Sequence, residues 1–140
     1  GGLAQTLRQG RGVTRRRKRA ELWGRWAEYI AIWWLRAKGY RLLEHRARTA
    51  AGEIDLVMRR GEFLVFIEVK ARANIESARD SLTKRQRDRI IRSASLWRAR
   101  YSGYSDLHFR YDMVLVAGWR WPVHERAAWI PEGYGAQDLL

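Results

Sequence analysis

The chain contains no cysteine, which excludes disulfides and thiolate metal sites. Histidine is scarce: His45, His108 and His124 are scattered, without i,i+4 or comparable ligand spacing, so a zinc site is not expected. Long apolar runs are missing too. The longest strongly apolar stretch, Tyr29 to Leu35, is far shorter than the roughly 20 residues that cross a bilayer. No apolar segment follows the basic N-terminal residues, so no secretory signal is expected. These absences together predict a cytoplasmic protein with no membrane partner. Acidic residues are absent from the first 19 positions, and no internal repeat is visible.

What is present is basic charge. The 140 residues carry a formal net charge of +13, of which the first 19 contribute +7 and the remaining 121 contribute +6. The tail and the rest of the chain are both basic, and such a field favours a polyanion, since each neutralised phosphate releases counterions. The length suits one domain with one core. Residues 1–19, rich in Gly, Gln and Arg, read as a disordered basic arm. Residues 20–140 read as a single α/β domain.

Helical periodicity runs from Ala20 to Lys38, with Trp23, Ala27, Ile30 and Trp34 on one stripe and Gly39 as the stop. The period then becomes two. Tyr40–Arg48, Glu53–Arg59 and Phe63–Ala71 read as strands, the last two joined across Arg60-Gly61-Glu62. Residues 72–82 lack a pattern and read as a mobile loop. Thr83 is a plausible N-cap for a helix reaching about Arg100. Leu107–Ala117 reads as a strand, and Trp119–Ile130 as a further hairpin arm or two. The order predicts a mixed sheet with a helix on each face.

One strand carries the chemistry. In Phe63-Leu64-Val65-Phe66-Ile67-Glu68-Val69-Lys70 both faces are apolar, as in a central buried strand, yet one face ends in Glu68 and Lys70, residues rarely buried unless paired. In the preceding strand Glu53 and Asp55 share a face. A two-residue Gly61-Glu62 loop, with Gly at the first position of a type II′ turn, puts Asp55 opposite Glu68 and Glu53 opposite Lys70. Carboxylates that close repel, and one takes up a proton unless a cation lies between them. A divalent ion such as Mg²⁺, held by carboxylates plus water and substrate phosphate, fits. Glu68 and the Val69 backbone carbonyl can hold it, while the Lys70 ammonium can reach the attacking water or the phosphate. The alternative is a structural Glu53–Lys70 ion pair.

Gly52-Glu53-Ile54-Asp55-Leu56, followed by Phe66-Ile67-Glu68-Val69-Lys70-Ala71-Arg72, Lys84 and Arg110-Tyr111-Asp112, resembles the YraN family of endonuclease-like bacterial proteins. That family belongs to the restriction-endonuclease-like, PD-(D/E)xK superfamily and is similar to archaeal Holliday-junction resolvases. The resemblance spans about Leu22 to Val116. It implies a restriction-endonuclease-like mixed β-sheet core flanked by helices, with Asp55 and Glu68 as ligands of Mg²⁺ or Mn²⁺ and Lys70 as the catalytic lysine. It also implies that Glu28 is a helix glutamate brought to the metal; from the residues alone, a solvent-exposed helix glutamate fits equally well. Lys84 resembles a family lysine that could contact phosphate. Arg46 stands where many members have Asn.

The leading expectation is therefore a Mg²⁺- or Mn²⁺-dependent endonuclease acting on DNA, branched or flapped DNA included, with RNA a weaker alternative. A non-catalytic nucleic-acid-binding module that keeps the fold is the rival. Glu53 would support the site. Nucleic-acid contacts are expected from Arg15, Arg16, Arg17 and Lys18, from Arg72, and from Lys84, Arg85 and Arg87. Trp23 and Trp34 read as core. Trp119, Trp121 and Trp129 fit either base stacking or a homodimer interface.

Overall fold

A computed structural model describes the backbone of residues 2–129 and the side chains of residues 14–129. Its order is α1 (Gly2–Ala37), β1 (Arg41–Thr49), β2 (Gly52–Arg60), β3 (Phe63–Ala71), α2 (Ile75–Asp80), α3 (Lys84–Arg100), β4 (His108–Val116) and β5 (Val123–Glu125). The five strands form one sheet in sequence order. All neighbours are antiparallel except β3 and β4, which run parallel from Phe63↔His108 to Ala71↔Val116. A parallel pair needs a long crossover, and α2 and α3 lie in it. The expected mixed sheet flanked by helices is what the chain builds.

β3 lies between β2 and β4, and its residues Leu64 to Glu68 are all buried. Its alternating side chains feed two cores. Val65 and Ile67 pack with Leu56, Met58, Val114 and the α1 residues Ala31 and Leu35. Leu64 and Phe66 pack with Ile54, Val57, Leu115 and the α3 residues Ile90 and Trp97. Gly61 has φ +58 and Glu62 does not have positive φ, the sign pattern of a type II′ turn, and Arg60 pairs with Phe63 as the loop length predicts.

The chain departs from the expected pattern in three places. The buried residues of α1 are Ala27, Glu28, Ala31, Ile32 and Leu35, whereas Trp23 is exposed and Trp34 only half-buried. Small residues let the helix lie close on the sheet, and the bulky indoles are displaced to its flanks. Second, α1 begins at Gly2, not near Ala20, so the expected arm is helical backbone continuous with the packed turns; Thr14 to Arg19 are all exposed. Third, the segment 72–82 contains the short helix α2, capped by Asn74, whose side chain accepts the Ser77 N–H at 2.8 Å, with Ala78 buried beneath it.

The remaining boundaries follow local rules. After α1, Gly39 (φ +91) donates to the Arg36 carbonyl and Tyr40 donates to the Leu35 carbonyl, both at 3.0 Å. These two bonds make the Schellman closure, which requires a residue that tolerates positive φ. Thr83 caps α3 in a reciprocal capping box with Gln86. Trp129 is buried and stacked on Tyr111 with centroids 5.4 Å apart, so it is a core residue and is not available for base stacking or an interface. Ile130, the last residue of the expected C-terminal hairpin, lies outside the described residues.

Candidate catalytic centre where two strands part

The β2–β3 ladder runs from Arg60↔Phe63 to Leu56↔Ile67 and stops, although β2 continues to Gly52 and β3 to Ala71. Past this point β2 pairs only with β1, as Ala47↔Ile54 and Arg48↔Glu53. Ile54 belongs to the core under α3, while Leu56, two residues on, belongs to the core under α1. A regular strand would send both to the same side. The alternation therefore breaks at Asp55, and the strands fork there.

The fork explains where Asp55 goes. Its Oδ2 accepts the Val69 N–H at 2.8 Å, so a side chain takes over the bond that a neighbouring strand would supply. Glu68 and Lys70 extend into the same opening and are 7% and 8% exposed. Lys70 Nζ lies 3.4 Å from Glu68 Oε1, and the Asp55 and Glu68 carboxyls come within hydrogen-bond reach of each other. Burial, then the charge of Glu68, pushes the Asp55 carboxyl up to about 8. Burial also raises Glu68, against the opposing pull of Lys70, of the Asp55 carboxyl and of Arg89. One proton shared between the two is the natural state without a cation.

The expected juxtaposition of Asp55 with Glu68 is thus present, although the strands have parted and no longer pair at those residues. Glu53 goes elsewhere. It is exposed and lies 3.6 Å from Arg48 across the β1–β2 pair, so the alternative Glu53–Lys70 ion pair does not form and Glu53 does not support the carboxyl pair. Val69 is fixed at the site through its amide N–H. Lys84 and Arg85 are exposed at the start of α3, Arg87 is half-buried, and Arg72 is exposed just after β3. Arg15, Arg16, Arg17 and Lys18 are exposed on α1.

Glu28 is buried at 7% exposure on the sheet-facing side of α1. Its Oε2 is held by Arg46 Nη2 at 2.8 Å, Arg46 Nε at 2.9 Å and His45 Nε2 at 3.2 Å. Arg46 reaches it from a left-handed backbone (φ +56), which costs a non-glycine residue roughly 1–2 kcal/mol. Asn tolerates that conformation better than most residues, which gives a backbone reason for Asn at this position in the resembling family. Among the described residues, no group of three or more His, Asp or Glu side chains is arranged to hold a metal. The donor set that fits a hard divalent cation is half-buried Asp55 with buried Glu68, with Glu28 committed to Arg46 and His45 instead.

Sequence reasoning missed Arg89 as a site residue. It reaches over Gly52 from α3, where a Cβ would stand 2.8 Å from its Cδ, and its charge acts on Glu68. The contact spans 37 positions and leaves no local signature, though Gly52 with φ +148 is the vacancy that admits it. The Arg110-Tyr111-Asp112 motif forms a separate anchor. Asp112 is fully buried and accepts from Arg110 Nε and Nη2 at 2.7 Å, His124 Nε2 at 2.7 Å and Ala127 N–H at 2.9 Å. Those bonds hold its carboxyl below the ordinary value despite burial.

The sequence profile described as "Uncharacterised protein family UPF0102" matches residues 27–116. A UPF0102 protein of Maricaulis maris is 66% identical over 128 residues, covering 91% of this chain and 100% of the relative. One of Parvibaculum lavamentivorans is 47% identical over 105 residues, covering 75% and 79%. One of Caulobacter vibrioides is 43% identical over 127 residues, covering 91% and 98%. The matched span contains Glu28, Arg46, Asp55, Glu68, Lys70 and Arg89.

Proposed function

The chain belongs to the family UPF0102, and from that premise and the forked strands we propose that it is a Mg²⁺- or Mn²⁺-dependent endonuclease acting on DNA. One observation carries the reading: two carboxyl groups and a lysine, all from β2 and β3, come together at the mouth of the fork, with Glu68 and Lys70 buried and Asp55 half-buried. A stable fold gains nothing from adjacent buried carboxyls, whose desolvation costs more than their contacts return. Their value lies in binding something positive. The resemblance of these segments to the YraN family and to PD-(D/E)xK nucleases points the same way.

Asp55 and Glu68 would hold the divalent ion, which when bound supplies an activated water and offsets charge building on the phosphate. The Val69 N–H fixes the Asp55 carboxylate before substrate arrives, so little reorganisation is left for the reaction. Lys70, beside Glu68, donates a hydrogen bond from its ammonium to the attacking water or to a non-bridging phosphate oxygen. Arg89 reaches the same opening from α3 and, with exposed Lys84 and Arg85, seats the neighbouring phosphates. The long-range attraction is the +13 charge of the chain.

The test is a cleavage panel of duplex, single-stranded, flapped and four-way-junction DNA with Mg²⁺, Mn²⁺ or EDTA. The proposal expects metal-dependent strand scission that Asp55→Asn abolishes. A second reading, a nucleic-acid-binding module without turnover, draws on the commitment of Glu28 to Arg46 and His45, which leaves two acids at the fork. A folded wild type that binds DNA but cuts nothing above the Asp55→Asn background decides for that reading.

A further inference from the structure

Between the flank of α1 and the connection from β4 to β5 runs a groove of about 1070 Å³, at the upper end of the range for ligand pockets. Its walls carry Trp26, Trp33, Trp119 and Trp121, which are 66%, 68%, 106% and 78% exposed. Four exposed indoles around one concavity are not ordinary surface, because a soluble protein rarely leaves contiguous apolar area of this kind open without a use. The lining also includes Arg25 and Arg120 and no Asp or Glu. The indoles are partly fixed: Trp121 lies against Trp34 at 5.3 Å between ring centroids, and the Arg36 guanidinium lies over the Trp33 ring at 5.6 Å.

A relay of side-chain contacts links the groove wall to the neighbourhood of the candidate centre. Tyr29 lines it and meets the His45 ring edge-on at 5.5 Å. His45 in turn holds Glu28, whose charge acts on Asp55. We propose that the groove is a stacking channel for the unpaired bases of a nucleic-acid strand, which leads single-stranded or branched DNA toward the carboxyl pair.

Aromatic faces stack on any base while cations between them track the phosphates, the combination used by proteins that hold single strands without reading sequence. A second copy of this chain is a poorer occupant, because like patches would set Arg25 and Arg120 against each other with no carboxylate in the lining to meet them. The inference rests on the nuclease reading only for what happens to the strand at Asp55; binding in the groove stands by itself.

The experiment uses the full chain in EDTA, with a fluorescently labelled oligo-dT of about 12 nucleotides, within the site sizes typical of single-strand binders, and a blunt duplex of matched phosphate number. Trp26→Ala, Trp33→Ala and Trp119→Ala remove exposed rings, so the fold is retained. Each is expected to weaken single-strand affinity roughly ten-fold while duplex affinity stays within about two-fold and its salt dependence is unchanged. Unchanged single-strand affinity, or equal losses on both DNAs, overturns the channel. So does a wild-type dimer that these substitutions dissociate, or a loss confined to binding of anionic lipid vesicles. Ring-dependent binding in EDTA, joined to no cleavage of the same DNAs once Mn²⁺ is restored, keeps the channel and sinks only the nuclease reading. Cleavage with Mn²⁺, joined to single-strand affinity that none of the three substitutions changes, does the reverse.

Discussion

Replacing Asp55 by Asn should make the metal-free protein more stable, by an amount that grows with pH. The side chain keeps its shape and can still accept the Val69 N–H, so the change removes little except an ionisable group. In the folded protein that group is pushed from an ordinary 3.8 to about 8 by burial and by Glu68. A carboxyl raised in this way gives stability that is complete below pH about 4 and is lost as pH rises toward 8, because the unfolded chain releases the proton first. At roughly 1.4 kcal/mol per tenfold in proton affinity, the loss has a ceiling of about 4 kcal/mol at pH 7. Solvent reaching half-buried Asp55 lowers the realised value to the order of 2–3 kcal/mol. Urea unfolding of both proteins in EDTA, from pH 4 to pH 8, reads this directly. The curves should coincide near pH 4 and diverge steadily, and added Mg²⁺ should narrow the gap by favouring the charged wild-type pair. Parallel curves across that range would refute the electrostatic account of the fork.

Arg46→Ala should cost about 1–3 kcal/mol by stripping buried Glu28 of its guanidinium partner, whereas Arg46→Gly should recover about 1 kcal/mol of that by relieving the left-handed backbone; denaturant midpoints of the three proteins check both. Asp112→Asn should destabilise by about 3 kcal/mol at neutral pH, since it leaves the half-buried Arg110 charge without its carboxylate partner. In the wild type, the contribution of Asp112 is present above pH about 4 and lost as pH falls through its lowered value, which acid titration of stability reveals. DNA affinity should fall steeply with salt, and deleting residues 1–19, with their +7 charge, should flatten the slope of log affinity against log salt.

Much of this architecture can be read from residue order, and the parts that cannot share a cause. The hairpin register follows from two residues, Gly61 and Glu62, because turn chemistry is local. The start of α3 follows from Thr83 and Gln86 for the same reason. The meeting of Asp55 with Glu68 is legible through that register, but the fork is not. Extending the ladder also places Glu53 against Lys70, whereas β2 breaks its alternation at Asp55 and Glu53 stays with Arg48. Which face of α1 meets the sheet is a packing choice among overlapping stripes. Hydrophobicity favours the indoles, and close approach favours Ala27, Ala31 and Leu35. The contacts of Arg46 with Glu28 and of Arg89 with Gly52 join residues far apart in sequence, so they exist only once both cores have closed.

The most direct test of the central claim is the single-turnover cleavage rate of wild type and Lys70→Ala, with Mn²⁺ and excess enzyme, on whichever DNA of the panel is cut, with affinity for that DNA measured in parallel. Lys70 sits 3.4 Å from Glu68 and adds charge in the transition state rather than holding the ion, so its loss should lower the rate on the order of 10²–10³-fold while affinity changes little. An unchanged rate in a folded Lys70→Ala protein, or a rate that falls only in step with DNA affinity, would contradict the assignment of this strand fork as the catalytic centre.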